Sequence, residues 1–250
     1  MNAEAAGRTI LITGTTSGLG RALLDEYDRE GVNLVGVNRR DVADLHTAFP
    51  RARFFVADIT QPSEVARVFE ELRETGTLPD VVILNAGINE VDYDSRFDFG
   101  RFKSVLDVNL AGVLTFVHCI HRMDKPTTIV GISSTSTIVP NSSNLGYYVS
   151  KLSLNALFRL FAMSDRKNRY KVVMLGPVHT LLNRNLPAQT GVQKSIFEFL
   201  SLEPASAARR CARFVESRSR VLHPPLLTAA FYWALKVALV FVPSLYYRSK

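Results

Sequence analysis

Tyr147 and Lys151 stand four residues apart, and Ser134 lies thirteen residues before the tyrosine. On a helix, positions i and i+4 share a face, so this spacing sets a phenol beside an ammonium. A phenol with an ordinary pKa near 10 exchanges protons poorly at neutral pH, and a fixed cation next to it lowers that value toward the working range. A serine hydroxyl held opposite would hydrogen-bond the oxygen that gains or loses the proton. The expected chemistry is acid-base work on an oxygen. Tyr-x-x-x-Lys recurs on many helices, so the pair needs a setting before it means catalysis.

That setting begins near the N-terminus. After a strand-like Thr9-Ile10-Leu11-Ile12-Thr13, the run Gly14-Thr15-Thr16-Ser17-Gly18-Leu19-Gly20 opens a helical pattern. Glycines at these positions let the chain turn tightly, bring backbone N–H groups up to a pyrophosphate and seat the helix close on the sheet, while the helix N-terminus presents its positive dipole. This is a dinucleotide cradle. After the second strand, Val37-Asn38-Arg39-Arg40 lacks the carboxylate that would bond a ribose 2′-hydroxyl. Arg39 and Arg40 suit a 2′-phosphate instead, which predicts NADP rather than NAD. Asp58, in Val56-Ala57-Asp58-Ile59, reads either as an acceptor for the adenine amino group or as a cap for a helix opening at Pro62.

The elements that must position these residues follow from the pattern of apolar runs. Strands are expected at Thr9–Thr13, Leu34–Val37, Arg53–Ala57, Val81–Leu84, Thr128–Ile132, Val172–Leu175 and, weakly, Val221–His223. Helices are expected between them at Leu19–Glu30, Pro62–Thr75, Phe99–His121, Tyr147–Asn168 and Pro204–Glu216. Parallel neighbours need such crossovers, so the fold class is α/β, a doubly wound, Rossmann-type parallel sheet covered on both faces. No linker divides residues 1–224, which read as one domain.

With 250 residues, 47% hydrophobic and 21% charged, the chain has enough apolar material for a full core, which excludes a disordered tail protein. Two cysteines, Cys119 and Cys211, cannot staple a secreted fold, and a reducing, cytoplasmic compartment is the expectation. The net charge of +7 resides wholly in the last fifth, where eight basic side chains face a single acid, Glu216. Residues 1–204 are balanced at 22 of each sign, and the arginines do not interleave with aromatics as a nucleic-acid groove would require. Nucleic acid is not an expected partner.

Residues 225–250 form an apolar and basic tail in which a helix is expected over 226–242. Its polar members, Thr228, Tyr232 and Lys236, fall at i, i+4 and i+8, a narrow stripe beside a broad apolar face. Seventeen helical residues reach roughly 25 Å, short of a bilayer core of roughly 30 Å. Three placements stay open: docked on the domain or a partner subunit, lying in a membrane interface at the cytoplasmic face, or a short span.

Together these features resemble the short-chain dehydrogenase/reductase family over about residues 8–224. Thr13 to Gly20 resembles its glycine motif, Asn85-Ala86-Gly87 its Asn-Ala-Gly, and Asn109 in Val108-Asn109-Leu110-Ala111-Gly112 its helix asparagine. Ser134, Tyr147 and Lys151 stand at the family's separations, a register that selects Tyr147 over Tyr148 and Ser134 over Ser133. The resemblance implies that Ser134 polarises a carbonyl, Tyr147 moves the proton, Lys151 holds the nicotinamide ribose and lowers the tyrosine pKa, and Asn109 holds a water in a proton relay. It also implies cofactor contacts from Gly14, Thr16, Ser17, Gly18, Leu19, Gly20, Asn38, Arg39, Arg40, Asp58, Ile59, Asn85, Ala86 and Gly87, then from Gly176, Val178 and Thr180. The last three belong to Leu175-Gly176-Pro177-Val178-His179-Thr180, which departs from the family's Pro-Gly-x-Val-x-Thr at its first position. A homodimer through the Phe99–His121 and Tyr147–Asn168 helices is implied as well.

The expected activity is hydride transfer between NADP(H) and a carbonyl or secondary alcohol. Phe197, Phe199 and Leu200, in an expected lid over Leu181–Leu202, point to an apolar substrate. A catalytically silent NADP-binding regulator or a membrane-peripheral scaffold is the alternative, but it predicts damage in the serine, tyrosine or lysine, and all three are intact. His118 and His121 at i, i+3 lack a third ligand at metal spacing, and Gly131-Ile132-Ser133-Ser134-Thr135 fails the hydrolase elbow at its last position.

Overall fold

The computed structural model describes residues 7–41, 43–90, 97–138, 144–180, 182 and 198–241. Seven parallel strands lie in the order β3-β2-β1-β4-β5-β6-β7. They are β1 (Thr9–Thr13), β2 (Asn33–Asn38), β3 (Arg53–Val56), β4 (Val81–Leu84), β5 (Thr128–Ser134), β6 (Arg169–Leu175) and β7 (Val221–Leu222). Helices α1 (Gly18–Asp28), α2 (Ala43–Ala48), α3 (Pro62–Glu74), α4 (Phe99–Leu106), α5 (Gly112–His121), α6 (Leu145–Ser164), α7 (Pro204–Glu216) and α8 (Leu226–Phe241) connect or flank them. Winding outward from β1 to β3 and then from β4 to β7 opens a crevice at the carboxyl ends of β1 and β4, where the strand order reverses.

Alternation along β1 sorts the core. Ile10 and Ile12 pack with Leu23 and Tyr27 of α1 and Cys211 and Phe214 of α7, while Leu11 faces Val65, Phe116, Leu154 and Phe158 of α3, α5 and α6. Both cysteines are free and buried.

One buried charge holds the α7 layer to the sheet. Lys171 of β6 is fully buried, and its Nζ donates to the carbonyl oxygens of Phe214 (2.6 Å), Val215 (3.0 Å) and Ser217 (2.8 Å). These carbonyls lie at the end of α7, where that of Phe214 also accepts from the Ser217 N–H (3.0 Å) and hydroxyl (2.8 Å), and the ammonium caps them and meets the negative end of the helix dipole. Burial pushes the Lys171 pKa down to about 8.

Several expected boundaries shift. The helix expected to reach Asn168 ends at Ser164, because Asp165 turns extended and its carboxylate accepts from the N–H groups of Lys167 (2.8 Å) and Asn168 (3.1 Å). Burial alone would raise the Asp165 carboxyl, but bonds from the Asn168 side chain and backbone, Lys167 and the Tyr170 hydroxyl hold it down at about 2. Strand β6 accordingly starts at Arg169, three residues before the apolar run that suggested it. The Phe99–His121 helix is broken by a π turn, Asp107–Ala111, that carries Asn109. Helix α2 was not expected; six residues with one buried apolar side chain, Leu45, leave no period to read. His121 does not pair with the exposed His118. Its Nε2 lies 2.5 Å from the Tyr170 hydroxyl and 3.0 Å from Asp165 Oδ2, and no group of three metal-ligating side chains occurs among the described residues.

Candidate active site

The glycine loop is tied to both neighbouring strands before any ligand is considered. Thr13 Oγ1 accepts from the N–H groups of Asn85 and Ala86, both at 3.0 Å, and Asn85 Nδ2 donates to the carbonyls of Thr13 and Gly14, again at 3.0 Å. On the other side, Asn38 Oδ1 accepts from the Thr15 N–H (2.7 Å), and the Asn38 and Thr15 side chains bond each other. Asn38 and Asn85 are therefore scaffold for the loop. A Cβ on Gly20 would fall 2.0 Å from the Gly14 carbonyl oxygen, and Gly14, at φ +71°, lies against the Ala86 backbone. Only glycine fits either position.

The loop leaves its donors open. Ser17 at the N-cap of α1 makes no side-chain bond to the first turn, and that turn holds no acid. Thr16 and Ser17 are exposed on the rim, whereas Leu19 points into the core. Free N–H groups, a helix dipole and backbone with no Cβ in the way fit a pyrophosphate. Arg39 and Arg40 are exposed at the carboxyl end of β2 and form no ion pair among the described residues. Asp58 does not cap the helix at Pro62, where Gln61 is the N-cap. Its Oδ1 accepts from the Thr60 N–H and hydroxyl (2.9 and 2.8 Å), closing a local turn. Ile59 packs on Gly112, whose absent Cβ would lie 2.8 Å from Ile59 Cγ1.

Ser134 ends β5, and Tyr147 and Lys151 project from the first two turns of α6. The Ser134 side chain lies near enough to the Tyr147 phenol to oppose the effect of burial on it, and the Lys151 Nζ lies 5.5 Å from the Tyr147 ring centroid. The lysine is buried and donates to the Ile132 carbonyl (2.8 Å), which aims it along the end of β5. Gly87 lies on its other side, with its virtual Cβ 3.7 Å from Nζ. Behind them Asn109, fully buried, clamps Ile88 by accepting from its N–H (2.8 Å) and donating to its carbonyl (2.9 Å). Its second amide hydrogen goes to Ser150 Oγ (3.2 Å), which donates to the Tyr147 carbonyl (2.8 Å). The Asn109 side chain thus positions the tyrosine turn, and its donors are committed to protein partners.

The protonation states differ from expectation. Burial lowers the Lys151 pKa to about 8, and burial raises that of Tyr147, with the Ser134 side chain opposing it. The expected depression of the phenol by Lys151 is absent, and burial, which disfavours the charged phenolate, is the largest influence on it.

After β6 the chain is stitched to a later segment. Val178 bridges Leu202, the Leu202 N–H donates to the Pro177 carbonyl (2.8 Å), and the His179 N–H donates to the Leu202 carbonyl (3.0 Å). Thr180 reaches back to Gly18, its Cγ2 3.0 Å from where a Cβ would sit, whereas Gly176 lies against Thr228 of α8 and Val178 is buried. Of the expected lid, Leu181 and residues 183–197, Phe197 included, lie outside the described residues. Leu200 is buried and Phe199 is exposed. Sequence reasoning missed Thr15 and Ser150, though the Thr15–Asn38 pairing is of the kind two polar residues at strand ends could signal.

A phosphate cradle at a strand-order switch, with a phenol and an ammonium beside it, defines a dinucleotide-dependent oxidoreductase. The short chain dehydrogenase family matches residues 8–191, and this chain belongs to it. Similar proteins include 3beta-hydroxysteroid dehydrogenase 1 of Eggerthella lenta, 28% identical over 195 residues, 72% of this chain and 74% of that one. The benzil reductase IRC24 of Saccharomyces cerevisiae is 25% identical over 222 residues, 80% of this chain and 84% of its own. Among solved structures, a short-chain dehydrogenase from Streptomyces avermitilis shares the fold with a TM-score of 0.78 at 18% identity, covering 97% of this chain and 98% of that one. A gluconate 5-dehydrogenase from Burkholderia cenocepacia, in complex with NADP and tartrate, has a TM-score of 0.78 at 20% identity over 87% of this chain and 93% of its own.

Proposed function

We propose that this oxidoreductase uses NADPH to reduce the carbonyl of an apolar substrate, with Tyr147 as proton donor. The observation that carries the reading is the buried Lys151, tied to the Ile132 carbonyl at the end of β5, with its Nζ 5.5 Å from the centre of the Tyr147 ring. The nucleotide, when bound, supplies the hydride at its nicotinamide C4. Ser134 holds the substrate oxygen, and Tyr147 delivers the proton to that oxygen as the carbon gains the hydride, which balances ketone to secondary alcohol. Lys151 bonds the ribose and restores a proton path to the phenol. Burial raises the Tyr147 pKa further above neutral, so the phenol enters the reduction as the acid.

NADP preference rests on the two exposed arginines after β2 and the missing carboxylate there. Hydrogen bonds to a charged group contribute about 1.5–3 kcal/mol each, so Arg39→Asp should lower kcat/KM for NADPH about 10- to 100-fold and leave or raise that for NADH. Steady-state kinetics with both nucleotides and a panel of hydrophobic ketones test this. An unchanged NADPH/NADH ratio in the variant would remove Arg39 from the reading.

The pH profile has a definite sign. Lys151 is cationic below its pKa of about 8 and neutral above it, so kcat/KM for the nucleotide, which reports the free enzyme, should be flat to about pH 8 and then fall toward tenfold per unit. Lys151→Met, slow throughout, should show no break there. Support for a homodimer comes from α6, where Leu152, Leu160 and Met163 fall on one side of the helix and are exposed. Pairing through it would match the implied interface.

A further inference from the structure

We infer that α8 is a peripheral anchor that lays its outer face into an anionic lipid surface. The helix is inverted relative to a soluble amphipathic helix: Thr228 is 3% exposed and Tyr232 is half-buried on the domain side, while Leu226, Leu227, Phe231, Trp233 and Val237 all face outward. At 100° per residue these five fall within one arc of about 160°, and the alanines at 230 and 234 fill it. Leu226 is 84% exposed and Trp233 53%. The polar stripe expected from the sequence therefore lies partly against the protein, and the broad apolar face is left uncovered. Thr228 against Gly176 fixes this orientation at the carboxyl end of β6, level with Ser134. Phe199, 77% exposed and next to Leu200, whose carbonyl also approaches Gly176, adds to the apolar surface at that end.

Charge selects the occupant. Lys236 flanks the apolar arc with its Nζ 4.9 Å from the Trp233 ring, and Arg210 reaches the His223 carbonyl just before the helix. Arg209, Arg213 and Arg218 are exposed on or just beyond α7, and none of these cations forms an ion pair among the described residues. The one acid in the segment, Glu216, is already paired with Arg8 at 2.7 Å. A second copy of the same segment would bring these cations no unpaired acid to meet. Anionic headgroups neutralise them, while the arc enters the acyl boundary and Trp233 sits at headgroup level.

Trp233 is the only tryptophan in the chain, so its emission reads the contact directly. The full-length protein is titrated with vesicles of phosphatidylcholine alone and with about 30% phosphatidylglycerol, and assayed by flotation and fluorescence. The expected result is a blue shift and co-flotation with anionic vesicles, weakened at least tenfold by half-molar salt or by neutral lipid. Leu226→Glu with Leu227→Glu should melt at the same temperature as the parent yet lose vesicle binding at least tenfold, and Arg209→Glu with Arg213→Glu should lose the lipid-charge preference. Absence of a shift, or flotation that the double glutamate variant retains, overturns the proposal. So does a change in solution mass that depends on Leu226 and Leu227 without flotation, which would make the face a contact between copies.

Discussion

Tyr147→Phe should cut turnover about a thousandfold while leaving nucleotide affinity within a factor of two. General acid catalysis contributes typically 10²- to 10⁴-fold, and phenylalanine keeps the ring and removes only the hydroxyl. Lys151 stays anchored to Ile132, and Asn109 and Ser150 still hold the backbone of the turn, so the site keeps its shape. Single-turnover measurement of NADPH oxidation, alongside a fluorescence titration of NADPH, separates the two effects. A variant that keeps more than a tenth of the parental rate would show that the proton comes from another group.

The largest effect on stability should come from Lys171→Met. Methionine fills nearly the same volume but donates nothing, so the carbonyls of Phe214, Val215 and Ser217 lose the ammonium. Ser217 Oγ still donates to the Phe214 carbonyl, which limits the loss at one of the three. Leaving a buried acceptor without its donor costs about 1–3 kcal/mol, so the Val215 and Ser217 carbonyls together set a loss of about 2–6 kcal/mol, and in a chain of this size 1 kcal/mol lowers Tm by roughly 2–4 °C. Thermal denaturation followed by circular dichroism measures it. A drop under about 2 °C would mean that the α7 terminus finds other donors. Tyr147→Phe should leave Tm nearly unchanged, so the two variants separate chemistry from architecture.

The parts of this molecule that depend on neighbours in sequence were the ones the sequence revealed. Gly14 and Gly20 could be read because a tight turn and a close approach exclude every larger residue there, and the Tyr147 and Lys151 pair could be read because positions i and i+4 share a helix face, whereas the place of Ser134 came from the family's separations. Roles that depend on distant partners could not be. Asn38 and Asn85 look like ligand contacts in a motif, and only the fold shows that their side chains are engaged by Thr15, Thr13 and Gly14. Lys171 interrupts an apolar strand for a reason that lies 43 residues away, at the end of α7. The Tyr147 pKa went the opposite way to expectation because spacing reports proximity and carries no measure of lost hydration.

The π turn at Asp107–Ala111 holds one more residue than a regular helical turn would, and Asn109 sits inside that surplus. Excising a single residue there would restore an even winding and rotate one arm of the long rod against the other by about 100°. Either the phenol's brace or the Phe116 and Ile120 packing would then face the wrong way. Length in this stretch is consequently as constrained as residue identity: conservative replacements are tolerable where a one-codon deletion is not.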